Sequence, residues 1–411
     1  MKLSLMTLGD VVTDPVTGAL QTAAERHRSI VEAAVLSEQA GFHGIHVGEH
    51  HGLEYSTSAP PVILSAIGER TRDLRLSTAV TLAANLDPVR AAEDYATVDV
   101  LSGGRCEVVV GRGNFFVSTY TLFGQAIGDS HELFHDAVEL LVQLWSGKAV
   151  SWPGSRHRAP IDDFVLQPPA LGSLPLWIGG GASESTAHLA ARLGLDLMLP
   201  SAFGNPAQFK PIVEVYREKF AAYGHHREPR VGACWHVNVS PTSQVARDRW
   251  APRYRAYFEL MNSMIARVNP DPPAFVRKPF DFEFLTSRGP AIVGSPAEVV
   301  DRLSSVTEML TADTNLLYID MGGQPAAEFS AMVELLGESV LPQLRDVPSV
   351  AGSAFLAPEG RRSAPGRHGT AVSQGREAGT PSRGGDTVKM ILRLLRPTGS
   401  DPLANQGEPP G

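Results

Sequence analysis

The chain has 411 residues, 43% of them hydrophobic and 19% charged, with a formal net charge of -8. This is globular composition, long enough for one large domain, and its acidic balance argues against nucleic acid and other polyanions as partners. Two cysteines, Cys106 and Cys234, make neither a disulfide framework nor a metal quartet, and suit a reducing cytoplasm.

The first residues, MKLSLMTLGD, lack the apolar core and cleavage site of a signal peptide. Nowhere is there a run of about 18 apolar residues, so no membrane span is expected. A cytoplasmic protein is the expectation.

Short apolar runs alternate with longer helical patterns. LSLMTL (3–8) reads as a strand, and residues 22–40 carry Ile30, Ala33, Ala34 and Leu36 at helical spacing, with Gly41 as a stop. GIHV (44–47) is the next strand, and a helix follows near 60–71 from Pro60-Pro61. Then come strand 75–82, helix 88–101, strand 105–111 and helix 130–146. The rhythm resumes with strand 175–178, helix 183–193, strand 196–199 and helix 206–222. Strand 231–239, helices near 242–266 and 296–309, strand 315–320 and helix 326–345 complete it.

Repeating βα units argue for a parallel sheet. Eight such strands favour a closed (β/α)8 TIM barrel, an α/β fold, over an open sheet. The barrel spans residues 1–348, with a hairpin or loop insertion near 149–167 and a Pro- and Phe-rich, lid-like excursion near 267–294. Residues 349–411 are rich in Gly, Pro, Ser and Arg and read as a disordered tail. The island VKMILRLLR (388–396) within it has the pattern of a short basic amphipathic helix.

Active sites of such barrels lie at the C-terminal ends of the strands. The second strand delivers Glu49, His50 and His51 there. Neighbours on an extended strand point to opposite faces, so a shared metal ion is disfavoured and no metal site is expected. A histidine that titrates near neutrality suits proton transfer; the alternative is a structural cap.

Small residues at 78–84 give either close approach for a flat ring or simply a narrow barrel interior. In VVVGRGNFF (108–116), Arg112 can contact a phosphate or a carboxylate, and the G-x-G lacks the third glycine of a dinucleotide fingerprint. In IGGGASESTAHLAARLG (178–194), three glycines leave a strand and Ser183, Ser185 and Thr186 open a helix. Backbone N–H groups and hydroxyls at a helix start form an anion site; the plain alternative is N-capping. No lysine follows in P-loop spacing, and there is neither a G-x-S-x-G elbow nor a CxxC pair. Phosphate site, small-residue wall and histidine together suggest a phosphorylated planar cofactor such as a flavin.

At this point the chain resembles the bacterial luciferase-like flavin monooxygenases over residues 1–348. The resemblance rests on GFHGIHVGEHH (41–51), on 74–114, on PLWIGGGASESTAHLAARLG (175–194) and, more weakly, on IVGSPAEVVDRL (292–303). It implies a barrel that binds reduced FMN at its C-terminal mouth, where O2 gives a C4a-(hydro)peroxyflavin that oxygenates the substrate. Carried over by position, His50 matches the family's catalytic histidine, Arg112 a phosphate-contacting arginine, and Ser183 and Thr186 the phosphate-binding hydroxyls. Asn114 falls where the family's backbone also approaches the phosphate, and around the matching serine Gly180, Gly181 and Ala182 offer extra backbone N–H groups. The family's non-prolyl cis peptide falls at Ala79–Val80. Glu49 and His51 either orient His50 or hold the loop.

Luciferase carries an acidic residue just before the matching serine, whereas Ala182 stands here after three glycines. Related barrels with a similar glycine-rich segment use the deazaflavin F420 and transfer hydride. The leading reading is therefore a two-component FMN monooxygenase fed by a separate NAD(P)H:flavin reductase. An F420-dependent oxidoreductase and a non-catalytic flavin-binding protein are the alternatives. Tyr55, Phe115, Phe116, Tyr120, Phe203 and Trp235 are either core or the walls of an apolar pocket, which would take a small aldehyde or natural-product intermediate. A homodimer is implied by the resemblance.

Overall fold

The computed structural model describes residues 1–345 apart from 181, 182 and 322. The expected tail at 349–411, with its basic island, lies outside the described residues, as do Gly181 and Ala182.

The parallel strands are β1 (Lys2–Thr7), β2 (Gly44–Val47), β3 (Arg75–Thr78), β4 (Thr81–Leu82) and β5 (Val108–Gly111). An antiparallel hairpin, β6 (Val150–Trp152) and β7 (Ile161–Phe164), occupies the expected insertion. The ring continues with β8 (Leu176–Gly179), β9 (Asp196–Met198), β10 (Val231–Val239) and β12 (Thr314–Tyr318), while β11 (Ala291–Gly294) pairs with β10.

The expected strand 75–82 is two pieces. It breaks at the cis peptide Ala79–Val80, the position the family resemblance implies. At the break Thr78 takes over the ladder: its hydroxyl donates to Val109 O at 2.8 Å and accepts from Val109 N at 3.0 Å. With β3 and β4 taken as one strand, the pairing runs β1-β2-β3/β4-β5-β8-β9-β10-β12 and returns to β1, a closed barrel of eight. Lys2 faces Thr314 and Met6 faces Tyr318 across the closing pair. β11 is a ninth parallel strand; it lies inside the segment read as a lid-like excursion and begins where β10 has run past β12.

Helix boundaries follow local chemistry. Thr22 and Glu25 form a reciprocal capping box before the helix Ala23–Ala40, and Gly41 ends it in the left-handed conformation. Asp87 accepts from Val89 N and Arg90 N, with Pro88 opening the helix Pro88–Ser102. The helices bury one face on the barrel's outside, where Leu5, Ile45, Leu76, Val108, Ile178 and Leu317 form part of one apolar core. A second cluster fills the barrel interior and mouth with Met6, Trp177, Met198 and Cys234. At the N-terminal end Asp196 accepts from Arg227 at 2.6 Å and from Arg230 Nε at 2.8 Å. No helix among the described residues is long and apolar enough to cross a membrane.

Candidate active site

The C-terminal strand ends enclose a cavity of about 620 Å³, within the usual range for small-molecule sites. Among the expected site residues, Glu49, His50, Ala79, Val80 and Arg112 line it. So do Asn114, Gly180, Ser183 and Thr186. His51 does not.

Val80 fixes the shape of one wall. A Cβ on Gly111 would stand 2.5 Å from Val80 Cγ2, and one on Gly179 would stand 2.7 Å from Val80 Cγ1. No real Cβ approaches so closely, so both strand ends must be glycine while valine stands between them. Gly111 thus answers to Val80, and Gly179 to Val80 together with Val109, whose Cγ1 would stand 2.8 Å from a Cβ there. Gly180 differs: it has φ +79° and nothing within 4 Å of a Cβ position, so it leaves open space.

The hydroxyl-bearing helix start and Arg112 line the same cavity. Ser183 caps the helix Glu184–Leu193 and accepts from Thr186 N at 3.4 Å. Its hydroxyl also lies 3.0 Å from Ser185 Oγ and 3.1 Å from Thr186 Oγ1. Arg112 leaves β5 toward the same cavity and donates to Ser130 Oγ at 3.3 Å. His131 and His135, from the helix Ser130–Leu144, line the cavity too. Burial and the nearby Arg112 charge hold the His131 pKa below its ordinary value. Sequence reasoning missed both histidines, which carry no local motif. An adjoining recess of about 680 Å³ shares Arg112, Asn114 and His131, and adds Arg277.

The acid and two histidines separate by role. Glu49 is buried; its Oε2 accepts from Leu82 N at 2.9 Å and its Oε1 lies 2.7 Å from His51 Nε2. His51 turns outward against the edge of Phe123. His50 is held by ring packing, stacked on Tyr55 at 3.9 Å and edge-on to Phe116 at 5.3 Å. Neither His50 ring nitrogen bonds to another described residue. Desolvation, with a smaller contribution from His51, pushes its pKa down to about 3, so the imidazole is neutral near pH 7.

The remaining walls are apolar and aromatic. Phe115, Phe203 and Phe275 pack on one another with centroids 5.1 to 5.6 Å apart. Phe275 comes from the excursion near 267–294. Tyr120 and Trp235 are core: Tyr120 donates to Arg112 O, and Trp235 Nε1 donates to Asn315 Oδ1 at 2.7 Å. His236 on β10 lines the cavity and was not expected. It sits in an unbroken run of buried residues, where only alternation (Gly232, Cys234, His236, Asn238) could have singled out its face.

A closed parallel barrel with a neutral histidine and a hydroxyl-rich helix start at its C-terminal mouth has the form of a cofactor-dependent barrel enzyme. Residues 1–313 match the luciferase-like monooxygenase family model, and the chain belongs to that family. The oxygenase component of flavin-dependent trigonelline monooxygenase from Acinetobacter baylyi is 21% identical over 355 residues, covering 83% of this chain and 95% of that protein. The monooxygenase RslO1 of Streptomyces bottropensis superimposes with a TM-score of 0.72 at 25% identity, covering 83% of this chain and 99% of that one. At fold level the chain is also similar to the oxygenating constituent of 3,6-diketocamphane monooxygenase from Pseudomonas putida, solved with FMN (TM-score 0.66, 16% identity, 83% and 98% covered). An F420-dependent secondary alcohol dehydrogenase shares that fold as well (TM-score 0.63, 17% identity, 84% and 99% covered).

Proposed function

We propose that this chain is the oxygenase of a two-component system that uses reduced FMN and O2 to oxygenate a small, apolar organic substrate. The observation that carries this reading is a single cavity joining a hydroxyl-rich helix start and Arg112 to the Val80 wall and a neutral histidine.

The residues fit a flavin with a phosphate tail. Ser183, Thr186, the helix N–H groups and Arg112 would hold the phosphate. Ala79 and Val80 would support the flat ring system, and the space at Gly180 admits the chain between them. Reduced FMN would supply the electrons that activate O2. Phe115, Phe203 and Phe275 would exclude water from the reacting atoms. His50, uncharged and with free ring nitrogens, would accept or return a proton. The chain has no nicotinamide fingerprint, so a separate NAD(P)H:flavin reductase would reduce the flavin, in keeping with the oxygenase component among its relatives.

The test mixes the full chain anaerobically with reduced FMN, and in parallel with reduced F420, and then admits oxygen. Slowed, protein-dependent reoxidation of FMN supports the monooxygenase reading. Reoxidation at the rate of free FMN, with tight F420 binding and hydride transfer that needs no oxygen, moves the assignment to an F420 enzyme. FMN binding with no effect on reoxidation leaves a flavin carrier.

A further inference from the structure

The cavity has a second polar pole, unused in the account above. His236 lies on β10, three strands around the barrel from β2 through β1 and β12, and lines the same cavity. Its Nδ1 is 2.8 Å from the hydroxyl of Tyr254. Tyr254 is 1% exposed and its hydroxyl has no other hydrogen-bond partner among the described residues. If Nδ1 carried the hydrogen, the phenol would accept it and its own hydrogen would stay buried and unmet. Tyr254 therefore donates to Nδ1, and the neutral ring carries its hydrogen on Nε2. Stacking of Tyr254 on Trp250, at 4.1 Å and 12°, holds the phenol in place. No carboxylate among the described residues pairs with His236, and burial pushes its pKa down to about 3.

The surroundings select what this donor can meet. Met6, Met198, Cys234 and Leu316 line the cavity with it, and the Tyr257 ring lies 6.3 Å away. Glu49 and Arg112 are the carboxylate and the guanidinium that line the cavity, and they sit on the ends of β2 and β5. A carboxylate at His236 would lie in an apolar pocket without a cation, and an ammonium would meet an N–H hydrogen. A neutral acceptor meets neither penalty.

We infer that His236 is a specificity-determining residue whose Nε2–H docks a carbonyl oxygen of the substrate, with Tyr254 as the positioning residue that sets its tautomer. The substrate is then an apolar carbonyl compound, its oxygen against β10 and its carbon skeleton toward the phenylalanine wall. This rests on the FMN reading only for which bond of that compound reacts.

The probe is 1-tetralone labelled with carbon-13 at its carbonyl, bound to the full chain with oxidised FMN and followed by difference infrared spectroscopy. The expected result is a carbonyl stretch moved to lower wavenumber than in an aprotic solvent. His236→Phe should abolish that shift and weaken tetralone binding by about tenfold, with FMN affinity unchanged. Tyr254→Phe should reduce the shift in part. A band at the same position in wild type and His236→Phe overturns the inference, as does failure of the wild type to bind the ketone. Should His236→Phe not fold, a wild-type band position in Tyr254→Phe overturns it instead. A shifted band in a chain that does not bind FMN would sink the flavin reading alone; FMN binding with an unshifted band would sink this inference alone.

Discussion

Glu49 joins two strand ends: one oxygen lies 2.7 Å from His51 Nε2, and the other accepts the Leu82 N–H at 2.9 Å. The carboxylate thus ties the exit of β2 to β4 and holds His51 out of the cavity. Of the three neighbours, His50 is the one that lines the cavity with no hydrogen bond from its side chain to another described residue.

Replacing Glu49 should therefore act on stability first. Glu49→Ala leaves the buried Leu82 N–H unmet, at a cost of about 1–3 kcal/mol. Glu49→Gln keeps an acceptor there and should lose clearly less. Urea unfolding of both variants checks this. Full stability with lost turnover in Glu49→Gln would instead give the acid a chemical role.

His50 should rest uncharged across the working pH range, taking on charge only as it handles a proton in turnover. Its pKa is pushed down to about 3 by burial, so the pH profile of kcat should show no acid limb near 6.5 belonging to this group. His50→Ala should leave FMN affinity unchanged and reduce turnover by roughly 10²–10⁴-fold, the usual worth of a positioned acid–base group. An inflection near pH 6.5 that disappears in His50→Ala would contradict the assignment of a neutral ring.

Buried neutral histidines should make the fold acid-sensitive earlier than its carboxylates would. His46 and His236 are 1% and 5% exposed, with pKa values lowered by desolvation from 6.5 to about 4 and about 3. Between those values and 6.5 the unfolded chain binds protons that the folded chain does not, so stability rises with pH. Each group contributes a slope of about 1.4 kcal/mol per pH unit in its window. The contribution is fully present above 6.5 and declines as pH falls. Urea midpoints from pH 7 to 4.5 test this, and His46→Asn should flatten the slope. A flat profile in the wild type would contradict it.

The contact of Val80 with Gly111 should show as coupling. Gly111→Ala puts a Cβ 2.5 Å from Val80 Cγ2 and should cost about 1–3 kcal/mol by overpacking. Val80→Ala in the same chain should recover most of that loss, with a coupling energy of about 0.5–3 kcal/mol. Additive single-mutant effects would show that the glycine serves something other than Val80.

Most of the barrel is legible in the sequence because its strands are short apolar runs that alternate with helices of clear apolar spacing. Ala291–Gly294 escapes this reading because its four residues follow a Pro- and Phe-rich stretch whose one α-helix before them, Phe282–Ser287, is only six residues long. The site is legible where a motif is local, as at Ser183 to Thr186. It is hidden where tertiary packing decides. His236 becomes a cavity donor only because Tyr254, 18 residues further along the chain, reaches its Nδ1 from the helix Ser243–Val268. Trp235, its neighbour, points the other way, into a hydrogen bond with Asn315. Gly111 and Gly179 look like cofactor glycines, yet they are required by valine packing, Gly111 by Val80 and Gly179 by Val80 and Val109.

The most direct test of the central claim compares the affinities of the full chain for reduced FMN, reduced riboflavin and reduced F420 under anaerobic conditions, with Arg112→Ala and Ser183→Ala beside the wild type. FMN should bind the wild type at least tenfold more tightly than riboflavin, since the phosphate makes charge-assisted contacts each worth about 1.5–3 kcal/mol, and this preference should collapse in both variants while riboflavin binding hardly changes. Equal binding of FMN and riboflavin by the wild type, or a preference for F420 over FMN, would contradict it.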